Sequence, residues 1–266
     1  DTDRSRGLGD VYKRQGSDVA ALLDKPNNNL AVEYCKAIIE LNVKMQPIAL
    51  PRQGADHGQA LTESSHTAFA SASALRALWA EGGAAALAPY VPEKALKLYK
   101  QAEYDGKYTD FAVMGHCELA LLRAACTEQA PFATVRGVSE GLEHRLENAV
   151  RKTASLPALL DALTTVRYPR ARMRRLAMDA ALGYTAQTPA LPPYLHLLGA
   201  RKEALPLPGE TALPLSHSLA RLARENETCA QMAAAQSRAS DLGALCRTKP
   251  EPMGGIYRQK IIFLTN

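Results

Sequence analysis

Five arginines lie close together in the second half of the chain, in a stretch that contains no acidic residue. The stretch runs from Val166 to Met178 and reads VRYPRARMRRLAM, and its arginines are Arg167, Arg170, Arg172, Arg174 and Arg175. A guanidinium group is planar and presents paired donors that match phosphate oxygens. Arranged around a helix that begins at Pro169, these groups predict contact with an RNA or DNA backbone. The pattern also fits a solvated helix face, and the residues alone leave both interpretations open.

Three further places in the chain have side chains suited to a nucleotide. Ser71, Ser73 and Arg76 lie at the predicted start of a helix, where free backbone amides and a guanidinium attract anions. Upstream, the three asparagines 27–29 precede an amphipathic segment, where a carboxamide can cap a helix or hydrogen-bond to a ligand. Arg52 follows a predicted strand, and ligands in α/β sheets bind beyond the carboxyl ends of strands. Each of these patterns also has a purely structural interpretation.

The elements that must position these side chains are mostly helices. Apolar residues recur at helical spacing from Leu30 to Leu41 and predict a helix with one buried face. A second helix, capped by Ser71 or Ser73, is expected to end at Gly82 and Gly83. Further helices are predicted at roughly 91–104, 109–127, 137–152, 155–165, 170–183 and within 217–246. Short strands are predicted at 46–51, at 192–200 and in the terminal stretch GGIYRQKIIFLT.

The composition is that of a helical protein with a real core. Of 266 residues, 47% are hydrophobic and only 6% aromatic, and the net charge is +5. Five cysteines without Cys-x-x-Cys spacing indicate reduced, buried thiols in a cytoplasmic protein. No run of eighteen apolar residues occurs, so no membrane span is expected. The histidines at positions 57, 66 and 144 have no partners at metal-ligand spacing, and no metal site is predicted.

The first fifteen residues are expected not to belong to the fold. The hexapeptide DVYKRQ, Asp10 to Gln15, is similar to the read-through translation of an adapter used in sequencing libraries. Such processing scars are excluded from fold prediction. The native sequence is therefore expected to begin near Gly16, part-way through a longer reading frame.

Six stretches, in order, resemble the bacterial tRNA(Met) cytidine acetate ligases, relatives of the HIGH-motif nucleotidyltransferases. The resemblance runs from about residue 22 to residue 208 and weakens afterwards. The stretches are KPNNNLAVEYCKAI (25–38), PRQGADHG (51–58), ASASALR (70–76), SEGLEHRL (139–146), VRYPRARMRRLAM (166–178) and YLHLLGARKEALPLP (194–208). The resemblance implies an α/β plus mainly α fold. In it, residues 16–90 form the C-terminal remnant of a Rossmann-like, ATP-binding nucleotidyltransferase domain. Residues 91–266 form a mainly helical tRNA-binding domain with a few short strands.

The family's reaction implies roles for these residues. It joins acetate to the wobble cytidine of elongator tRNA(Met), with ATP as cosubstrate, through an acetyl-adenylate; Mg²⁺ is expected to accompany ATP. The resemblance assigns ATP contacts to Asn27, Asn28, Arg52, Ser71 and Ser73. Arg76 is the candidate catalytic residue, because a cation near the phosphates stabilises the charge that collects on departing pyrophosphate. The arginines from Arg167 to Arg175 are expected to hold the tRNA.

The chain also departs from the family pattern. Asn29 and Ala31 replace the family's aliphatic residue and glycine, and Gly58 replaces an aspartate. The family's His-x-Gly-His element does not occur in these 266 residues, so we expect the parent protein to be an enzyme and this chain by itself to be inactive. Two alternatives stay open: a non-catalytic helical RNA-binding module, and a nucleotidyltransferase with a small-molecule acceptor.

Overall fold

The structure, a computed structural model, describes residues 26–50, 70–201 and 211–264. The chain divides into two units at the bond between Ala74 and Leu75, and each unit is described by itself. The expected boundaries at residues 15 and 90 stay predictions.

The described residues of the first unit include a long helix. Helix α1 spans Pro26–Glu40, which confirms a helix here. Its apolar stripe, however, lies open: Leu30 is 53% exposed, Tyr34 63% and Leu41 71%. The prediction of a buried face is therefore wrong for this structure. Periodicity aligns the side chains, but burial needs a partner, and the described residues of this unit contain no strand and no second complete helix to cover them.

The predicted strand at 46–51 is also wrong over its described part. Residues 43–50 form no regular structure, and Ile48 and Leu50 are 82% and 87% exposed. A strand is stabilised by hydrogen bonds to a neighbour, and Pro47 has no amide hydrogen to donate to one.

Local signals at the helix starts explain why the second half folds as predicted. After α2 (Ala72–Gly82), the helices are α3 (Glu93–Tyr104), α4 (Phe111–Ala125), α5 (Leu142–Lys152), α6 (Leu156–Leu163) and α7 (Arg170–Ala181). The Asp110 carboxylate caps α4 by accepting from the amides of Ala112 and Val113 at 2.8 and 3.1 Å. Ser155 caps α6, and Pro169, with its fixed φ, precedes α7. These helices lie within a few residues of their predicted bounds.

Helices α4 to α7 pack around one apolar core, since each presents a stripe of small and aliphatic side chains to it. The innermost residues of this core are Leu122, Phe132, Leu142, Leu146, Val150, Leu159, Leu163 and Met173. Helix α4 contacts α5, α6 and α7. The core therefore fixes the faces of α4, α6 and α7 relative to one another.

The C-terminal part adds short strands and a second small core. Strands β1 (Leu195–His196) and β3 (Leu215–Ser216) pair in parallel, as do β2 (Gly199–Arg201) and β4 (Ile262–Leu264). The helices are α8 (Leu219–Leu222), α9 (Glu227–Leu245) and α10 (Gly255–Arg258). They enclose a cluster of Tyr194, Leu219, Leu222, Cys229 and Ala233. The strands predicted within 192–200 and at the C-terminus are thus confirmed as short pieces.

All five cysteines are free thiols. Cys229 and Cys246 are buried, as predicted, but Cys35 is exposed because it lies on the uncovered helix α1. Within the residues that the structure describes, no helix combines the length and the apolar character needed to cross a membrane.

Candidate functional site

The three asparagines lie inside helix α1 and not in front of it. The helix begins at Pro26, a residue favoured at the first helical position, so Asn27, Asn28 and Asn29 are its second to fourth residues. None of them is therefore the residue that precedes and caps the helix. Asn27 and Asn29 are exposed, and Asn28 is half-buried.

Of the two serines at the start of α2, Ser71 has the predicted capping role. The Ser71 hydroxyl accepts from the amide of Ala74 at 3.2 Å and lies 3.0 Å from the Ser73 hydroxyl. Ser71 is buried, whereas Ser73 is half-buried, and Arg76, the fifth residue of the helix, is exposed. The start of the helix thus has two hydroxyls and free backbone amides, which are donors suited to phosphate.

These residues are not brought together by anything that the structure describes. Arg52 lies outside the described residues. Asn28 belongs to the first unit and Arg76 to the second. That they form one wall of a nucleotide cleft stays a prediction.

The arginine segment divides into paired and unpaired cations. Arg167 forms an ion pair with Glu140, and Arg170 with Asp161. Arg174 and Arg175 are exposed and form no salt bridge with any residue in 26–50, 70–201 or 211–264. Two neighbouring positive charges on α7 are therefore available to an external anion.

Tyr168 orders the start of this segment. The guanidinium carbons of Arg167 and Arg172 lie 5.7 and 5.2 Å from the centre of its ring, within cation–π range. Its hydroxyl donates to the Glu140 carboxylate at 3.4 Å. The first arginines are thereby held against the protein.

A cavity of about 560 Å³ lies where α4, α6 and α7 meet. Its walls are largely apolar, and Arg170 and Arg174 also line it. The apolar lining includes Phe111, Met114, Leu119, Leu156, Leu160 and Met178. Helix α6 contacts α4 at Gly115, where an added Cβ would lie 3.4 Å from that of Leu156, an ordinary van der Waals distance.

One carboxylate in this cavity is buried without a partner. Glu118 is 1% exposed, and its Oε1 has no hydrogen-bond partner among the described residues. Burial raises the pKa of Glu118 from its ordinary 4.5 to about 7, and the positive charge of Arg174 opposes part of the rise. The cavity thus holds a carboxyl group that gains or loses its proton near neutral pH.

Sequence analysis missed Glu118, although a signal was present. Gly115, Glu118, Leu119 and Leu122 are the buried positions of α4, and they follow the spacing of a helix face turned to a core. A single acid within such a stripe marks either a buried polar contact or a site. The partner helices of that stripe could not be read from α4 alone.

Comparison with known proteins identifies the family of this chain. The HIGH Nucleotidyl Transferase family model matches residues 4–253. The tRNA(Met) cytidine acetate ligase of Listeria monocytogenes serovar 1/2a is 28% identical over 204 residues, which are 76% of this chain and 50% of that protein. The protein of the same name from Latilactobacillus sakei subsp. sakei is 31% identical over 179 residues, 66% of this chain and 42% of that protein. The chain spans about half the length of the curated relatives it matches.

Solved structures share the fold. The apo form of Thermotoga maritima TmcAL has a TM-score of 0.81 at 20% identity, and the match covers 98% of this chain and 66% of that one. The same protein bound with alpha-thio ATP also has a TM-score of 0.81, with 99% of this chain covered. The mixed α/β architecture with short parallel strands is therefore shared with these structures.

Proposed function

This chain belongs to the HIGH nucleotidyl transferase family. On that premise we propose that it is part of a tRNA(Met) cytidine acetate ligase. The reaction joins acetate to the wobble cytidine of elongator tRNA(Met) in the cytoplasm, with ATP as cosubstrate. The relatives described above are tRNA(Met) cytidine acetate ligases, which supports this choice of substrate. The residues of this chain support the two parts of this proposal, RNA binding and ATP binding.

The main observation in favour of RNA binding is the cationic face of α7, formed by Arg174 and Arg175. Arg174 and Arg175 are exposed neighbours that form no salt bridge with any described residue. Arg167 and Arg172 flank the ring of Tyr168, which limits their motion and favours contact with a defined part of an RNA. Phosphate contacts of this kind position a nucleic acid without reading its sequence.

The proposal of ATP binding is supported by the family and by the hydrogen-bond donors of this chain. We assign Asn27 and Asn28 to the nucleoside side of ATP, and Arg52 to the cations near its phosphates. Ser71, Ser73 and Arg76 are assigned to the phosphates, with Arg76 stabilising charge on the departing pyrophosphate. Asn28 is half-buried and Arg76 exposed, which suits a base contact and a phosphate contact respectively.

The chemistry follows from the poor leaving group of acetate. Attack of an acetate oxygen on the α-phosphorus of ATP releases pyrophosphate and gives acetyl-AMP. The exocyclic amine of cytidine then attacks the acetyl carbon, loses a proton and releases AMP. Mg²⁺ would be held by the phosphates and water; the described residues contain no group of three His, Cys, Asp or Glu side chains suited to a metal.

A second candidate is a helical RNA-binding module without catalysis. It is favoured by the absence of a His-x-Gly-His element in these 266 residues. We propose that the chain by itself binds tRNA but does not acetylate it. ATP-dependent transfer of radiolabelled acetate to the tRNA by this chain alone would contradict that statement.

The test of the RNA half is the salt dependence of tRNA affinity. Replacing Arg174 and Arg175 together by Ala should weaken binding of an elongator tRNA(Met) transcript about tenfold near 0.1 M salt. It should also reduce the slope of log affinity against log salt by about two. The matched control is the double replacement of Arg221 and Arg224, two exposed arginines outside the segment. Equal losses in both double variants would remove α7 from the interface.

A further inference from the structure

In the cavity between α4, α6 and α7, one buried carboxyl oxygen has no hydrogen-bond partner among the described residues. Its Glu118 carboxyl is 1% exposed, yet Oε1 accepts no hydrogen bond from any described residue. Buried polar groups in native proteins nearly always have a partner, and a missing one indicates a water, an ion or a ligand. Glu118 lines a cavity of about 560 Å³, so there is room for a ligand.

The walls indicate what that ligand must look like. Phe111, which is 70% exposed overall, lines the cavity, and Met114 and Met178 add polarizable thioethers to its walls. These surfaces suit a flat aromatic ligand. Arg170 and Arg174 line the same cavity from α7, and Arg170 is already paired with Asp161. Arg174 is thus the cation that remains for an anionic group of the ligand.

We propose that this cavity takes one unstacked nucleobase of the bound RNA, with an amino edge at Glu118 and the adjoining phosphate at Arg174. The inference rests on the proposed RNA-binding function and names the part of the RNA that the cavity holds. A nucleobase combines apolar faces, an edge of hydrogen-bond donors and a nearby phosphate. Carboxylates accept from base amino groups, and proteins that read single-stranded RNA stack unpaired bases on apolar side chains.

The methionines make the cavity observable. The chain has six; Met114 and Met178 line the cavity, whereas Met232 packs on the second core and Met253 is exposed. In protein labelled with ¹³C at the methionine methyls, bound cytidine 5′-monophosphate should shift the signals of Met114 and Met178 through its ring current. The signals of Met232 and Met253 should stay in place. Ribose 5-phosphate, which has the phosphate but no base, should leave all of them unmoved.

Variants at position 118 test the carboxyl itself. Glu118→Leu removes the acceptor and keeps the volume, and should weaken cytidine 5′-monophosphate binding about tenfold or more. Glu118→Gln keeps a carbonyl acceptor and should bind within a few-fold of wild type. Glu225→Leu, at an exposed acid, is the matched control. The dispersion of the methyl signals reports folding of each variant.

Three results would overturn the cavity assignment: no shift at Met114 and Met178, equal shifts with ribose 5-phosphate, or unchanged binding in Glu118→Leu. If any of these occurs while wild-type protein still binds tRNA, the cavity assignment fails and the proposed function stands. If cytidine 5′-monophosphate binds as expected but tRNA does not, the RNA-binding function fails and only a nucleotide site remains.

Discussion

Arg170, the first residue of α7, forms an ion pair with Asp161 of α6. Arg174 lies one helical turn further along α7, lines the same cavity and has no such partner among the described residues. The two arginines share a helix face. The charge of Arg170 is partly neutralised by Asp161, whereas the charge of Arg174 remains available to an incoming phosphate. This difference yields a specific prediction for RNA binding.

Asp161→Asn should strengthen tRNA binding a few-fold, because it releases Arg170 from its acidic partner and removes a negative charge beside the arginine face. The Asp161 side chain is 68% exposed, so the stability of the fold should change by less than about 1 kcal/mol. The measurement is tRNA affinity at low and moderate salt. Glu93→Gln, which frees Lys97 from an exposed pair on α3, is the control; equal gains in both variants would assign the effect to net charge alone.

Glu118 should make the stability of the fold depend on pH. Its pKa is about 7 in the folded protein and 4.5 ordinarily, so the folded state holds the proton more tightly. The free energy of unfolding should therefore fall as pH rises from about 4.5 to about 7, by about 3 kcal/mol at most, and level off above. Arg174 on α7 opposes the effect; Arg170 and His116 also line the cavity, and α6 adds no titratable side chain to its lining.

Urea unfolding of wild type and Glu118→Gln at pH 5 and pH 8 measures this dependence. Glutamine does not titrate, so the variant should lose this component and gain stability relative to wild type at pH 8. Parallel pH profiles for the two proteins would show that Glu118 keeps its ordinary pKa.

The two serines of α2 should separate structure from ligand binding. Ser71 accepts from the Ala74 amide, so Ser71→Ala should cost about 1 kcal/mol of helix stability. Ser73 accepts from no backbone amide that the structure records, and Ser73→Ala should leave the helix intact. Hydrogen exchange at the Ala74 amide measures the difference. Faster exchange at the Ala74 amide in Ser73→Ala, with unchanged exchange in Ser71→Ala, would show that Ser73 and not Ser71 caps the helix.

If Ser73 serves ATP, as proposed, Ser73→Ala should weaken ATP binding without changing exchange at Ala74. Arg76→Gln should weaken it further, because it removes a full charge. Calorimetric titration with ATP measures both variants. Wild-type affinity in both would remove this segment from the phosphate site.

Features that depend on residues close together in the sequence were predicted correctly, whereas features that depend on distant residues were not. The helices from residue 93 to 181 were predicted well because apolar spacing is a local signal, and the structure adds local caps at Asp110 and Ser155. The strand at 46–50 was not formed, and the stripe of α1 was not covered, because both depend on a partner elsewhere in the chain.

The candidate site shows the same division. The arginines of α7 were evident from their spacing, but the pairing of Arg170 with Asp161 depends on how α6 packs on α7. The cavity around Glu118 needs three helices at once. One unexplained acid in an apolar stripe was the only trace of it in the sequence.

The most direct test of the RNA-binding face is arginine modification with phenylglyoxal, mapped by mass spectrometry with and without elongator tRNA(Met). Bound tRNA should protect Arg174 and Arg175, while Arg221 and Arg224 stay as reactive as in the free protein. Undiminished modification of Arg174 and Arg175 at a tRNA concentration that saturates binding would contradict the account.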